Sequence, residues 1–95
     1  MIKKIFAIYD EKSEAYLTPI FMDTIGQVIR QITDILDDET HQFSKHTSDF
    51  TLYTLGTYDD NSGVIEPDLK LISPLLEFKA KKLDNIVNIN SQPGG

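Results

Sequence analysis

The stretch of sequence that decides the fold is Phe50-Thr51-Leu52-Tyr53-Thr54-Leu55-Gly56-Thr57-Tyr58, followed by Asp59-Asp60-Asn61-Ser62-Gly63 and Val64-Ile65. Residues 50–58 alternate in polarity and are rich in aromatic and β-branched side chains, which predicts a long β-strand. Residues 59–63 are dense in residue types that tolerate the backbone angles of tight turns. Because Val64 and Ile65 then return as a partner strand, this stretch predicts an antiparallel β-hairpin.

Two further strands are predicted before the hairpin. Residues 2–9 are apolar on both alternating faces, which is typical of a buried central strand. One face carries Ile5, Ala7 and Tyr9, and the other carries Phe6 and Ile8. After a polar connection, Ala15 to Met22 reads as a second strand that Pro19 interrupts. Proline cannot donate to a strand ladder, so we expect this strand to lie at an edge of the sheet or to kink there.

The strongest periodic signal lies between the second strand and the hairpin. Apolar residues recur there at spacings of three and four and therefore share one stripe of a helix: Ile25, Val28, Ile29, Ile32, Ile35 and Leu36. Thr24 is a suitable N-cap, and Gln27 stands where a capping box places its reciprocal side chain. We expect a helix from Ile25 to Asp37 that lays this stripe on the sheet, followed by a polar connection at residues 40–48.

The last third of the chain gives weaker signals. Pro67 is expected to end the pairing of the hairpin. Residues 69–72 and 75–78 are short apolar pieces around Pro74, the first typical of a strand and the second compatible with a strand or a short helix. The sequence thus predicts an α+β domain at residues 1–84, with a small, mostly antiparallel sheet of four to five strands, one amphipathic helix packed on it, and the order β-β-α-β-β. Residues 85–95 are expected to form a flexible tail.

Composition excludes several classes of protein. A chain of 95 residues has room for one modest core. The absence of cysteine excludes disulfides and thiolate zinc sites. No apolar run approaches the roughly 20 residues that span a bilayer, and the first residues lack a signal-peptide core, so we expect a cytoplasmic protein. An exposed sheet edge on so small a domain favours cover by a second copy, and we expect a homodimer.

Motifs for metal binding and catalysis are also missing. A calcium loop starting at Asp59 would need glycine and glutamate where Val64 and Lys70 stand. His41 and His46 have no third ligand at a familiar spacing for zinc. The sequence contains no nucleophile elbow, no glycine-rich phosphate loop and no marked carboxylate pair. We therefore expect no metal, no cofactor, no catalytic residue and no enzymatic activity.

Two groups of residues are candidates for binding nucleic acid. The net charge of −6 counts against unassisted binding to duplex DNA. A local basic patch could still form from Lys3, Lys4, Arg30, Lys79, Lys81 and Lys82; the alternative is a set of scattered, solvated charges. Tyr16, Tyr53 and Tyr58 could stack the bases of a single strand at roughly 1–3 kcal/mol per base. The alternatives are that these rings only pack in the core or sheet, or that they contact another protein.

Four ordered blocks of the chain resemble the small nonstructural protein of gokushoviruses, the single-stranded-DNA phages of the Microviridae. The blocks are Tyr9-Asp10, Glu14 to Phe21, Thr24 to Arg30 and His46 to Gly63, with Thr47-Ser48 where the family pattern has Pro-Glu. The resemblance implies a non-enzymatic accessory protein that is made in the cytoplasm of the infected bacterial host and is absent from the virion. It further implies a role in viral DNA replication or genome packaging, by binding single-stranded DNA or the replication complex. The other hypothesis is a protein-interaction module that binds a viral initiator or a host protein without direct DNA contact.

Overall fold

Five strands and one main helix form the α+β fold in the computed structural model, which describes residues 1–79. The strands are β1 (Ile2–Asp10), β2 (Ala15–Tyr16), β3 (Ile20–Met22), β4 (Phe50–Asp59) and β5 (Ile65–Pro74), and the helices are α1 (Ile25–Leu36) and the single-turn α2 (Gln42–Lys45). The predicted fold class is confirmed. The predicted domain end at residue 84 and the tail at residues 85–95 lie outside the described residues.

All strand pairs of the sheet are antiparallel, and β1 is its central strand. β4 pairs with β1 along its whole length and with β5 on its other side. β2 and β3 both pair with β1, one near each end, so they share the edge opposite to β4. The predicted second strand is therefore broken into two short pieces at Pro19, because a proline cannot continue the ladder there.

The hydrophobic core lies between α1 and one face of the sheet. Its buried members come from β1, α1, α2, β4 and the last turn of the described chain: Phe6, Ile8, Val28, Ile32, Leu36, Phe43, Phe50, Leu52, Leu75 and Phe78. The predicted apolar stripe of α1 supplies three of them, and Ile29 and Ile35 pack at its sides. The stripe therefore faces the sheet from Val28 to Leu36, whereas Ile25 in the first turn is 39% exposed and lies outside the core.

The predicted capping box of α1 is present. The backbone N–H of Gln27 donates to Oγ1 of Thr24 over 3.2 Å, and the backbone N–H of Thr24 donates to Oε1 of Gln27 over 3.3 Å. The helix ends at Leu36, one residue earlier than expected, with Asp37 as its C-cap. Two N–H groups that no helical carbonyl can reach are thus satisfied, which fixes the start of α1 next to β3.

The connection at residues 40–48 is more ordered than its polar composition predicts. It forms α2 and a 3₁₀ turn at Thr47–Asp49, and it buries Phe43 against Phe50 with ring centroids 4.7 Å apart. His41 caps α2, because its Nδ1 accepts from the backbone N–H of Phe43 over 3.0 Å. One buried aromatic ring among polar neighbours is enough to anchor such a segment to the core.

The expectation that Pro67 ends the hairpin pairing is wrong. β5 continues through Pro67 to Pro74 and pairs with β4 with two shifts of register, and residues 75–79 are then helical. Pro67 lies opposite Gly56, beside the first shift, where Leu55 of β4 stands against Asp68 and Leu69 of β5. Proline is tolerated on an edge strand and beside a bulge, since its missing N–H need not face a partner there.

Glycine at position 56 is required by this arrangement. Its φ of +141° is a conformation that side chains rarely adopt, and an added Cβ would overlap the carbonyl oxygen of Glu66 on β5. Gly63 in the hairpin turn has a φ of +76°, but an added Cβ would meet no atom within 4 Å. A side chain at position 63 would therefore meet backbone strain alone, whereas a side chain at position 56 would meet strain and a clash with β5.

The glycines predict a graded series of stabilities. Gly56→Ala should lower the free energy of unfolding by more than about 2 kcal/mol, since it combines strain with a clash. Gly63→Ala should cost about 1 kcal/mol from strain alone. Gly26→Ala, in the first turn of α1, should be neutral or stabilising by up to about 1 kcal/mol. Urea denaturation of the three variants measures the order, and equal losses at positions 56 and 63 would contradict the inferred clash.

Candidate binding surface on the open face of the sheet

The face of the sheet opposite to α1 gathers the aromatic side chains that the core does not use. In the antiparallel register Tyr9 lies opposite Tyr16, Ile5 opposite Phe21, Ala7 opposite Tyr53 and Lys3 opposite Tyr58. Side chains that are directly opposite one another point to the same face. Phe6 and Ile8 alternate with these positions on β1 and point into the core. We call this surface the tyrosine face; it contains Tyr9, Tyr16, Phe21, Tyr53 and Tyr58.

Three of the rings form a contact cluster that spans three strands. The ring centroids of Tyr9 and Tyr16 are 4.9 Å apart, those of Tyr16 and Tyr53 are 5.3 Å apart, and those of Tyr9 and Tyr53 are 6.2 Å apart. These separations and the tilted planes are the favourable geometry for aromatic pairs. Tyr16 and Tyr53 come from strands on either side of β1 and meet above it, because the residue between them is the small Ala7.

A second aromatic pair lies further along the same face. Phe21 and Tyr58 meet edge to face with centroids 5.8 Å apart, near Ile5 on β1. Ile5 and Ala7 are only 5% and 0% exposed although they face away from α1. Phe21 remains 50% exposed and Tyr16 43% exposed. The rings thus cover the centre of the sheet and still present aromatic surface to solvent.

Burial and its aromatic neighbours raise the pKa of the Tyr16 phenol above its usual value. Partial desolvation by the adjoining rings is the main cause, and the hydroxyl groups of Tyr53 and Tyr9 add to it. Both effects disfavour a negative charge on the phenolate. Tyr16 therefore stays neutral at the tip of the cluster across the physiological pH range.

Two of the predicted basic residues are brought together beside the tyrosine face. Lys3 and Arg30 line one shallow cavity of about 370 Å³, and Phe21 contributes to the same wall. The Nζ of Lys3 donates to Oδ1 of Asp23 over 2.8 Å, and this hydrogen bond raises the pKa of Lys3. Arg30 lies on the exposed side of α1. The cavity therefore offers one guanidinium and one ammonium that a carboxylate partly neutralises.

The other predicted cations do not join this pair. Lys4 points to the opposite face of β1 from Lys3, as neighbouring strand residues do. The Nζ of Lys79 donates to the carbonyl of Ser44, whose hydroxyl donates to the carbonyl of Leu36 at the far end of α1. Because α1 has 12 residues and is roughly 18 Å long, Lys79 and Lys3 lie near its opposite ends. Lys81 and Lys82 lie outside the described residues.

The chain was compared with known proteins at three levels. A family model described as "Phage ORF5 protein" matches residues 3–78. The chain belongs to the phage ORF5 protein family. A search of curated proteins and a search of solved structures each gave no match. The residues that match the phage ORF5 family include all five strands except Ile2, together with α1 and every member of the tyrosine face.

Residues 1–79 of this phage ORF5 protein contain no group of three or more His, Cys, Asp and Glu side chains placed to hold a metal ion. Within the same residues, no helix has the length and apolar character needed to cross a membrane.

The sequence pointed to Tyr16, Tyr53 and Tyr58 but missed Tyr9 and Phe21. Tyr9 alternates with Ile5 and Ala7, and that pattern alone places it on one face of β1. Phe21 could have been found in the same way on the second predicted strand. Neither alternation says which strands are neighbours, so it cannot show that the five rings share a surface.

The raised pKa of Tyr16 predicts a loss of stability at high pH. The phenol has a higher pKa in the folded than in the unfolded chain, so its contribution to stability is complete below about pH 10 and is lost as pH rises through the folded-state value. The free energy of unfolding, measured by urea denaturation between pH 9 and pH 11, should fall less steeply in Tyr16→Phe than in the unchanged protein. Identical slopes would show that Tyr16 titrates as it does in the unfolded chain.

Proposed function

We propose that this phage protein is a nonstructural accessory factor of a single-stranded-DNA phage of the Microviridae, which binds single-stranded viral DNA through the tyrosine face during replication or genome packaging. Membership of a phage family supports the phage setting, and the likeness of the four sequence blocks to gokushovirus proteins supports the virus type. The observation that carries the proposal is the set of five aromatic side chains on the face of the sheet that no helix of residues 1–79 covers.

The aromatic surface suits single strands better than duplex DNA. Unpaired bases stack on aromatic rings at roughly 1–3 kcal/mol per base, without sequence preference. Tyr16 and Phe21 are the most exposed rings of the face, at 43% and 50%. The tyrosine cluster and the Phe21–Tyr58 pair are centred about 13 Å apart along β1, from Tyr9 to Ile5. One extended strand of nucleotides is long enough to contact both.

Electrostatic attraction to phosphates can contribute only a small part of the binding free energy. Residues 1–79 contain fourteen acidic and seven basic side chains, and two of the basic ones, Lys3 and Arg30, line the cavity beside the face. A protein that neutralises Z phosphates of a single strand shows a salt slope of about −0.7Z. Two contacts give a slope of about −1.4, far shallower than in basic DNA-binding proteins. The proposal therefore requires affinity that comes mainly from stacking.

Tyrosine fluorescence can test the contribution of base stacking to this binding. The chain has no tryptophan, and all four tyrosines lie on the tyrosine face, so tyrosine fluorescence reports on that surface alone. Titration with a single-stranded oligothymidylate should quench this fluorescence. Phe21→Ser and Tyr16→Ser should each weaken binding about 5- to 150-fold in fluorescence anisotropy, the equivalent of one stacked base.

A matched control uses Val64→Ser, which removes an apolar side chain of equal exposure, 51%, from the turn of the hairpin. Val64 lies with Ile2, Thr57 and Glu66 on the other side of the sheet, so binding should be unchanged. Absence of any anisotropy change at low salt would rule out direct DNA contact. Equal losses in Val64→Ser and Phe21→Ser would show that the tyrosine face is not the site.

The electrostatic share has its own test. Arg30→Gln should flatten the salt slope by about one unit or less and weaken binding equally for all base sequences. Lys45→Gln removes an exposed cation from α2, away from the cavity, and should leave the slope unchanged. Anisotropy titrations at two or more salt concentrations give both slopes. A wild-type slope steeper than about −3 would point to a larger basic surface than Lys3 and Arg30 provide.

The excess of acidic side chains favours a second candidate function. A surface with twice as many acids as bases suits a basic protein partner better than it suits DNA. In this case the tyrosine face would bind a viral initiator or a host replication protein, since tyrosine is enriched at protein interfaces. A pull-down from infected cells that persists after nuclease treatment, together with no anisotropy change on oligonucleotide, would favour this candidate over direct DNA binding.

A further inference from the structure

The outer strand of the sheet, β5, is long and uncovered. It has ten residues, pairs only with β4 within the described part of the chain, and is exposed from Ile65 to Leu71. Its exposed apolar side chains are Ile65 at 57%, Leu69 at 59% and Leu71 at 57%. Unpaired backbone groups beside such side chains form a template for another strand. Strand pairing would bury both the backbone groups and part of these side chains.

When two copies of β5 pair antiparallel, one register places their opposite charges against each other. Asp68 and Lys70 flank Leu69 and point the same way, with Oδ2 and Nζ 3.3 Å apart. An antiparallel copy centred on Leu69 places Asp68 opposite the second copy's Lys70, and Lys70 opposite its Asp68. Opposite charges at directly opposed positions stabilise strand pairs, and like charges destabilise them.

Apolar side chains match in the same register. Leu69 lies opposite its own counterpart, and Leu71 lies opposite Pro67. Centring the pair on Asp68 or on Lys70 instead places two identical charges against each other. Charge complementarity therefore selects Leu69 as the centre.

Prolines limit the length of strand that is free to pair. Pro67 and Pro74 have no N–H to donate, while residues 68–73 between them each carry one. Only alternate N–H groups of an edge strand point away from its neighbour, and the register of β5 against β4 shifts at Asp68–Leu69 and again at Ile72. The stretch that is free to pair is therefore short. The two opposed charge pairs and the central leucine all fall within or next to it.

We propose that β5 is the interface of a homodimer, in which a second copy of this chain pairs antiparallel with β5 about Leu69 and joins two sheets into one. The two-fold axis of such a pair is perpendicular to the sheet. Both copies of α1 then lie on one side of the joined sheet, and both tyrosine faces lie on the other. The proposal does not depend on DNA binding.

Charge reversal tests both the interface and its register. Asp68→Lys and Lys70→Asp should each weaken dimerisation at least about tenfold, because each variant opposes like charges at two places. An equimolar mixture of the two variants should recover dimers, since each supplies the charge that the other lost. The double variant Asp68→Lys/Lys70→Asp should also recover them. Analytical ultracentrifugation over a range of concentrations measures all four samples.

The controls keep loss of folding apart from loss of pairing. The side chains of Asp68 and Lys70 are 59% and 70% exposed, so circular dichroism and the urea midpoint should remain close to wild type in every variant. Lys12→Asp reverses an exposed cation in the turn between β1 and β2 and should leave dimerisation unchanged. A wild-type protein that stays monomeric at several hundred micromolar would overturn the proposal. Dimers that persist in both single variants, or that fail to recover on mixing, would also overturn it.

Discussion

Burial of β1 on both of its faces is the constraint on which the rest of this structure depends. Residues 5–8 are four consecutive strand residues with almost no solvent exposure. Phe6 and Ile8 are covered by α1 and its neighbours, as the periodicity of the helix requires. Ile5 and Ala7 point the other way, where the described chain places no helix. The cover on that side has to come from side chains of the flanking strands, and the aromatic rings provide it.

The tyrosine face therefore stabilises the fold, whether or not it binds a ligand. Tyrosine suits a surface that must exclude water from Ala7 while facing water itself, because its ring is apolar and its hydroxyl is polar. Rings that hold one another at 4.9 and 5.3 Å have already lost much of their rotational freedom. Stacking a ligand on these rings would therefore cost the protein less side-chain entropy than stacking it on isolated tyrosines. The packing that covers Ala7 would thus also prepare the surface for the proposed recognition.

Local signals in the sequence were sufficient for the helix and the strands but not for their neighbours. The stripe from Ile25 to Leu36, the capping box and the break at Pro19 each depend on residues a few positions apart, and all three were predicted correctly. Pro67 was misread because its tolerance depends on Gly56, which becomes its neighbour only through pairing. Phe43 was overlooked because a single aromatic in a polar segment has no periodicity to mark it.

The candidate site was predictable only in part for the same reason. Three tyrosines could be singled out by residue type, but their contact across Ala7 follows from the order of the strands in the sheet. For the basic residues, the sequence did not show which of them share a surface. Lys3 and Arg30 are far apart in sequence and meet in one cavity, whereas Lys79 is drawn to Ser44 at the other end of α1. Composition gave the correct inventory of charges, and tertiary structure determined which of them share a surface.

The two edges of the sheet differ in a way that favours a closed dimer over open-ended assembly. On one edge Pro19 divides the chain into strands of two and three residues, too short to template a further sheet. On the other edge β5 offers a strand of ten residues, and self-pairing about Leu69 would use the free backbone groups of both copies at once. In the proposed two-fold pair through β5, the described residues would leave only the broken edges at the ends of the joined sheet, and these edges would not add a third chain.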